Sequence, residues 1–189
     1  MTRTALLDFT PVTPETATSE VAAILAATKA KLGFVPNMYG YMGALPGVLT
    51  GYMAAYASFR EHAGFTPPEQ EVVFLSVSAV NGCTYCTAAH SMIADKMSKL
   101  PADSLAALRG GSPLPDAKLQ ALALFTRSMV ETRGMPQRAE VDSFLAAGFS
   151  SQHVLGIVQA IACKTYSNFV NHLAATEVDA AFAAYKVED

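Results

Sequence analysis

The chain has 189 residues, enough for one domain with a sizeable core, and nothing in its length calls for a second. Its formal net charge is −3, with 13 Lys and Arg scattered among 16 Asp and Glu, so it offers no basic footprint for nucleic acid or an anionic membrane. Charged residues make up 15% and apolar ones 51%, against a usual charged share of about 25%, which points to surface buried against copies of the same chain.

No apolar run approaches the roughly 20 residues of a bilayer span, and the N-terminal stretch lacks the hydrophobic core of a signal peptide. The expectation is a cytoplasmic protein without a membrane partner. Pro11 and Pro14 argue against an early helix. Thr13 or Thr18 can cap a helix through VAAILAATKAKL that stops at Gly33, with Val21, Ile24, Leu25 and Leu32 on one stripe. The segment GFVPNMYGYMGALPG, rich in Gly, Pro and aromatics, reads as irregular, with at most one short helical turn, and as a roof over a cleft. Pro46 opens the next helix, which carries Leu49, Tyr52, Met53, Tyr56 and Phe59 at helical spacing and ends near Gly64.

Pro67 and Pro68 suit a helix start, and Glu69 and Glu71 suit its positively polarised first turn. The apolar run that follows is broken by Asn81-Gly82, and Cys83 begins a second helix. Beyond it, LPADSLAALRGGSPLPDAKLQ holds a short helix closed by Gly110-Gly111 and a Pro-bounded loop, the expected boundary between two halves. Asp116 begins a long helix ending near Gly134, a shorter one runs from about Gln137 to Gly148, and FSSQ supplies a serine cap for a long helix through HVLGIVQAIACKTYSNFVNHLAATEV. An alanine-rich helix finishes the chain. Few stretches alternate apolar and polar for long, so no strand is expected.

The chemistry concentrates between Glu69 and Lys96. Two helices joined by so short a turn pack antiparallel, and at 1.5 Å per residue Glu71 lies roughly 15 Å before the turn and His90 about 12 Å after it. The two can meet across the hairpin. Within the second helix Cys83, Cys86 and His90 fall in an arc of about 60° and look into one cleft. A thiol attacks as its thiolate, and a helix N-terminus or a neighbouring His lowers its pKa. His90, one turn beyond Cys86, is placed to accept its proton, and Glu71 to orient that imidazole and stabilise its charged form. Cys83, at the more exposed end, is placed to attack an oxidised Cys86 and close a disulfide.

Alternative readings stand beside this one. Cys83, Cys86, His90 and a carboxylate also make a conceivable zinc set, although no second Cys-x-x-Cys accompanies them. Cys163, in a long apolar helix, reads as a core thiol. His62, His153 and His172 read as structural or exposed, Glu69 as serving the helix start, and the Met and Tyr residues around Tyr39 to Tyr56 as core or subunit interface. Sliding the sequence by 82 residues lays His172 on His90, His153 on Glu71, Thr165 on Cys83 and Asn168 on Cys86, and an offset of 81 instead pairs Tyr85 with Tyr166; either register suggests a duplicated helical hairpin whose second copy lacks both thiols.

Glu71, NGCTYC and His90 together resemble the alkylhydroperoxidase D-like group of the carboxymuconolactone decarboxylase superfamily, most clearly over Pro67 to Met97. GFVPNMYGYMGALPGVLTGY and the C-terminal part resemble its longer, peroxidase-related branch. The resemblance implies one domain over residues 1–189, its Cys-x-x-Cys core at about 67–97, and an all-α fold of two related helical units. It also implies a trimeric or hexameric assembly, and peroxidase activity on a hydroperoxide substrate with a thiol or dithiol reductant and no metal or haem cofactor. Carried over, Cys86 would be the peroxidatic thiol, Cys83 the resolving thiol, and Glu71 with His90 the proton relay. This chain departs from the best-studied pattern in having Tyr85, where a histidine precedes the second cysteine. Two other functions stay open: the lactone decarboxylase chemistry of the superfamily's name, whose members generally lack the cysteine pair, and a non-catalytic redox-sensing module.

Overall fold

Helix punctuation in the sequence becomes nine α-helices in the computed structural model, which describes residues 4–187. They are α1 (Ser19–Leu32), α2 (Asn37–Gly43), α3 (Pro46–His62), α4 (Pro67–Val80), α5 (Thr84–Ile93), α6 (Ala102–Gly110), α7 (Ala117–Glu131), α8 (Arg138–Ala146) and α9 (Ser151–Ala174). A π-helical turn, Ala94–Ser98, continues α5, and a 3-10 helix, Ala180–Tyr185, follows α9. No strand occurs among the described residues, and the fold is all-α.

The ends of these helices follow local chemistry. Thr18 caps α1 by accepting from Val21 N, and Gly33 closes it at φ 83°. Thr66 and Glu69 form a reciprocal capping box at α4, Asp116 accepts from Leu119 N at 2.8 Å to start α7, and Ser150 caps α9 together with His153. Glu69 therefore does serve a helix start, and its other oxygen meets Lys118 at 2.7 Å.

Helix α4 is the axis of the molecule. Every residue from Glu69 to Ser78 is buried, as befits a helix enclosed on all sides. Helices α5, α7 and α9 pack around it, and Phe59 of α3, Phe74 of α4, Leu122 of α7, Phe144 of α8 and Ile157 of α9 meet in one core. Because α4 and α5 are joined by a tight turn while α9 passes both, the hairpin is gripped from the C-terminal half of the chain.

Four expectations change. The segment after Gly33 is more ordered than its Gly and Pro content indicates: α2 makes about two helical turns, because Pro36 suits the position before a helix start and Met38, Tyr39 and Met42 find buried contacts. The final alanine-rich stretch forms a 3-10 helix rather than an α-helix. Leu32 leaves the α1 stripe and is exposed. At the offset of 82, Gly82-Cys83 corresponds to Lys164-Thr165, which lie inside the uninterrupted α9, so the second half meets the hairpin with a single long helix.

Close approach of α9 to the turn after α3 depends on Gly156, where an added Cβ would lie 2.9 Å from the Ala63 Cβ and 3.1 Å from Phe65 Cε2. Neither neighbour is a flexible chain end. Gly156→Ala should therefore cost about 1–3 kcal/mol in urea denaturation. Gly47→Ala, in the same structure but with open space around the new methyl, should range from neutral to about 1 kcal/mol more stable.

Candidate active site

Asn81 ends α4, Gly82 turns the chain at φ 65°, and Cys83 is the cap residue of α5, with its N–H donating to Ser78 O at 2.9 Å. Asn81 Nδ2 donates to Asn168 Oδ1 at 2.8 Å, which fastens this turn to α9. The hairpin brings Glu71 to His90 as its spacing requires: His90 Nδ1 lies 2.8 Å from Glu71 Oε2.

Glu71 is completely buried. Its other oxygen accepts from Arg60 of α3 and, at 3.3 Å, from Ser98 Oγ of the π-helical turn. Burial opposes the carboxylate charge, but the His90 hydrogen bond and the Arg60 guanidinium outweigh it and hold Glu71 below the usual carboxylate range. Arg60 is itself oriented by Tyr56 Oη at 2.8 Å and Gln70 Oε1 at 2.9 Å.

His90 behaves differently from the sequence expectation. Burial first, then the nearby Lys164 charge, outweigh Glu71 and lower its pKa to about 4. At neutral pH the imidazole is uncharged, its Nδ1–H is donated to the Glu71 carboxylate, and Nε2 carries the free lone pair. Glu71 thus orients a neutral base; it does not sustain an imidazolium.

Both thiols of the hairpin are 1% exposed, so Cys83 is no more accessible than Cys86. Asn171 of α9 points its Nδ2 between them, 3.4 Å from Cys86 Sγ and 3.9 Å from Cys83 Sγ. The two sulfurs titrate as a pair. Burial disfavours a Cys86 thiolate, but hydrogen bonding from Cys83 and the positive charge of Lys164 lower its pKa well below that of an ordinary thiol. Cys83 is pushed upward by the same hydrogen bond and by burial. Both effects favour the charge on Cys86 over Cys83. Cys163 is a fully buried core thiol, raised to about 12 by burial.

The roof of the site is α2 together with the segment after α9. Met38 Sδ lies 3.8 Å from Asn171 Nδ2, beside the thiols, and the Tyr39 ring packs on Tyr52. Asp179 ties the roof down. It accepts from Tyr85 Oη at 2.5 Å and from the N–H of Asn37, the first residue of α2, at 3.1 Å. Phe182 packs edge-on against both Tyr85 and Phe34. Tyr85, the departure from the best-studied motif, is thus the contact between the cysteine helix and the roof. Burial and Asp179 raise its pKa.

The structure brings together all four residues singled out in the sequence, Glu71, Cys83, Cys86 and His90, and leaves His62 exposed and His153 at a helix cap. It adds Arg60, Lys164, Asn171 and Asp179. The signal for Lys164 and Asn171 lay in α9, where Lys164, Ser167, Asn168 and Asn171 form an i, i+3, i+4, i+7 polar stripe in an otherwise apolar helix. No group of three or more His, Cys, Asp or Glu among the described residues is arranged to hold a metal ion. An open cavity of about 680 Å³ lies between α4, α6, α7 and α8, lined by Ser76, Phe125 and Phe144, and neither thiol borders it. No single helix among the described residues is long and apolar enough to cross a membrane.

Residues 46–127, spanning α3 to most of α7, match the profile of the Carboxymuconolactone decarboxylase family. This stretch contains Arg60, Glu71, Cys83, Cys86 and His90 and excludes Lys164, Asn171 and Asp179. The fold is that of the alkylhydroperoxidase AhpD core, as in a peroxidase-related protein from Ralstonia eutropha JMP134, with a TM-score of 0.81, 21% identity and 95% of each chain covered. A peroxidase-related protein from Silicibacter sp. TM1040 aligns with a TM-score of 0.77 at 21% identity, over 94% of this chain and 93% of that one. The debrominase Bmp8, in a cysteine-to-alanine variant complexed with 2,3,4-tribromopyrrole, aligns with a TM-score of 0.77 at 18% identity over 95% of each chain. A search of curated proteins found no match.

The buried His90 makes the hairpin sensitive to acid. Its folded pKa of about 4 lies below the reference value of 6.5. Between those values the unfolded chain binds more protons, so the stability held above pH 6.5 is lost as pH falls towards 4, and Glu71 adds to the loss at the lower end. Urea midpoints should drop between about pH 7 and about pH 4.5. His90→Gln, which cannot take up the proton, should show a shallower decline over the same interval.

Proposed function

We propose that the chain is a cysteine-based hydroperoxide reductase of the alkylhydroperoxidase D-like kind, with Cys86 as the attacking thiolate. The observation that carries this reading is the asymmetry of the buried pair: Cys86 is surrounded by Cys83, Asn171 and Lys164, all of which favour its anion, while Cys83 keeps its proton. In the first step the Cys86 sulfur attacks the terminal oxygen of ROOH. An S–O bond forms, the O–O bond breaks, and the departing alkoxide takes a proton to become the alcohol. That proton comes from solvent: neutral His90, oriented by Glu71, takes it up on Nε2 and hands it to the alkoxide, since a base of lowered pKa retains it only briefly. In the second step Cys83 sulfur attacks the Cys86 sulfenic acid, the S–S bond forms, the S–O bond breaks, and water leaves with the Cys83 proton. An external thiol or dithiol then reduces the disulfide.

A second reading has its own support. Bmp8, of the same fold, is a debrominase, and its complex with a tribromopyrrole was captured in a cysteine-to-alanine variant. In this chain the thiols lie beneath Met38, Tyr39 and Tyr52, an apolar and aromatic surround that suits a halogenated aromatic. Thiolate attack on bromine would break C–Br, with the ring carbon taking a proton. Cys83 would then displace bromide from the sulfenyl bromide and give the same disulfide.

Peptide mapping after mild peroxide should find Cys83 linked to Cys86, with Cys163 unmodified. Cys83→Ser should complete one fast turnover and then stall as a sulfenic acid. His90→Ala should slow single-turnover peroxide consumption on the order of 10²–10⁴-fold, and Glu71→Gln by less, because it keeps part of the hydrogen bonding. If Cys83 and Cys86 stay reduced in peroxide, and bromopyrrole releases bromide instead, the debrominase reading replaces the peroxidase one.

A further inference from the structure

Lys164 is 1% exposed, within a helix that lends its neighbours Asn168 and Asn171 to the thiol site. Its Nζ lies 5.4 Å from the centre of the Phe74 ring, and that ring lies 4.7 Å from the His90 ring. An ammonium so deeply enclosed costs several kcal/mol unless an anion accompanies it, and the π-face of Phe74 offsets only part of that cost.

The candidate anions can be taken in turn. Three carboxylates are buried among the described residues, and each is engaged elsewhere. Glu71 is held by Arg60 and His90, Glu69 by Lys118 and Thr66, and Asp179 by Tyr85 and the Asn37 N–H. The other titratable groups facing this part of the site are Tyr52, Tyr56 and Arg60 of α3, Cys83 and His90 around α5, and Cys163 of α9 itself. Burial favours the neutral form of both phenols and of Cys163, Cys83 keeps its proton, and His90 is a neutral base. Cys86 remains.

We infer that Lys164 is the positioning residue that holds Cys86 as a thiolate, its ammonium and the Cys86 sulfur forming the buried charge pair of the site. The inference rests on the thiol reading above and adds the source of the nucleophile's charge. It gives to a lysine of the C-terminal half the part that the sequence had suggested for a charged His90. Lys164 acts through Cys86 and makes no bond to the substrate. Asn171, two turns further along the same face of α9, supplies a directed hydrogen bond to the same sulfur, so charge and direction come from one helix.

The test is the pH profile of Cys86, read in the full chain by peptide-resolved alkylation and by thiolate absorbance. The native protein should keep Cys86 as thiolate below neutral pH. Lys164→Met, of similar length without the charge, should move the midpoint upward by at least a unit. At pH values below the native midpoint its alkylation should then be at least about tenfold slower, with the two proteins converging at high pH. An unchanged midpoint would overturn the inference.

Should Lys164→Met fail to fold, two substitutions of equal size at the partner position decide the matter with Lys164 in place. Cys86→Asp should be at least as stable as Cys86→Asn if the ammonium requires an anion. A Cys86→Asp protein much less stable than Cys86→Asn would refute the pairing. Peroxide consumption by the native protein is measured apart from both. Its absence, with a lysine-dependent midpoint, would sink the peroxidase reading and leave the pairing intact; turnover with an immobile midpoint would do the reverse.

Discussion

A carboxylate with no exposure to solvent stands at the centre of this structure. Glu71 cannot be left unpaired where it lies, and three separate elements come to it: α3 through Arg60, α5 through His90 and the π-helical turn through Ser98. The π-helical turn follows directly from this arrangement. An extra residue in the winding after α5 brings Ser98 back over the carboxylate, the sort of irregularity found where a helix serves a site. With Glu71 satisfied, His90 has one orientation and one tautomer, and the cysteine helix has a fixed rotation about its axis.

The division of labour between charges follows from the same burial. Arg60 neutralises the carboxylate, while Lys164, beside the Phe74 ring that packs on His90, depresses the imidazole and favours the Cys86 anion. A site with one positive charge for each negative one, and a neutral base between them, can change the charge on sulfur without moving the rest. The hairpin and Arg60 lie within residues 46–127, the stretch that matches the family profile, while Lys164 and Asn171 do not, so the two thiols and the cation and amide beside them come from different halves of the chain.

What could be read from the chain beforehand was what short range decides. The Pro67-Pro68 start, the Asn81-Gly82 turn and the rise per residue placed Glu71 against His90 without any tertiary information, and the caps of α1, α7 and α9 were equally local. The burial of Cys83 is not legible locally, because it depends on α2 and on the segment after α9, both remote in sequence. The α2 helix itself was hidden by its glycines. Gly40 and Gly43 are there because Val12 and its neighbours press on them, not because the chain turns, and a Cβ at Gly43 would meet Val12 at 2.8 Å. Lys164 was overlooked for the opposite reason: one cation in a long apolar helix looks like a surface residue until the stripe of Ser167, Asn168 and Asn171 is seen to share its face.

The knot at Asp179 has a consequence for the order in which the protein is made. The two thiols emerge from the ribosome well before α9 and the segment that carries Asp179, so during synthesis Cys86 lacks its ammonium, its amide donor and the later half of its roof, the part that ties α2 down. For that interval it is an ordinary thiol, slow to react because it is protonated rather than because it is covered. Reactivity and shelter then arrive together, when the last helix docks.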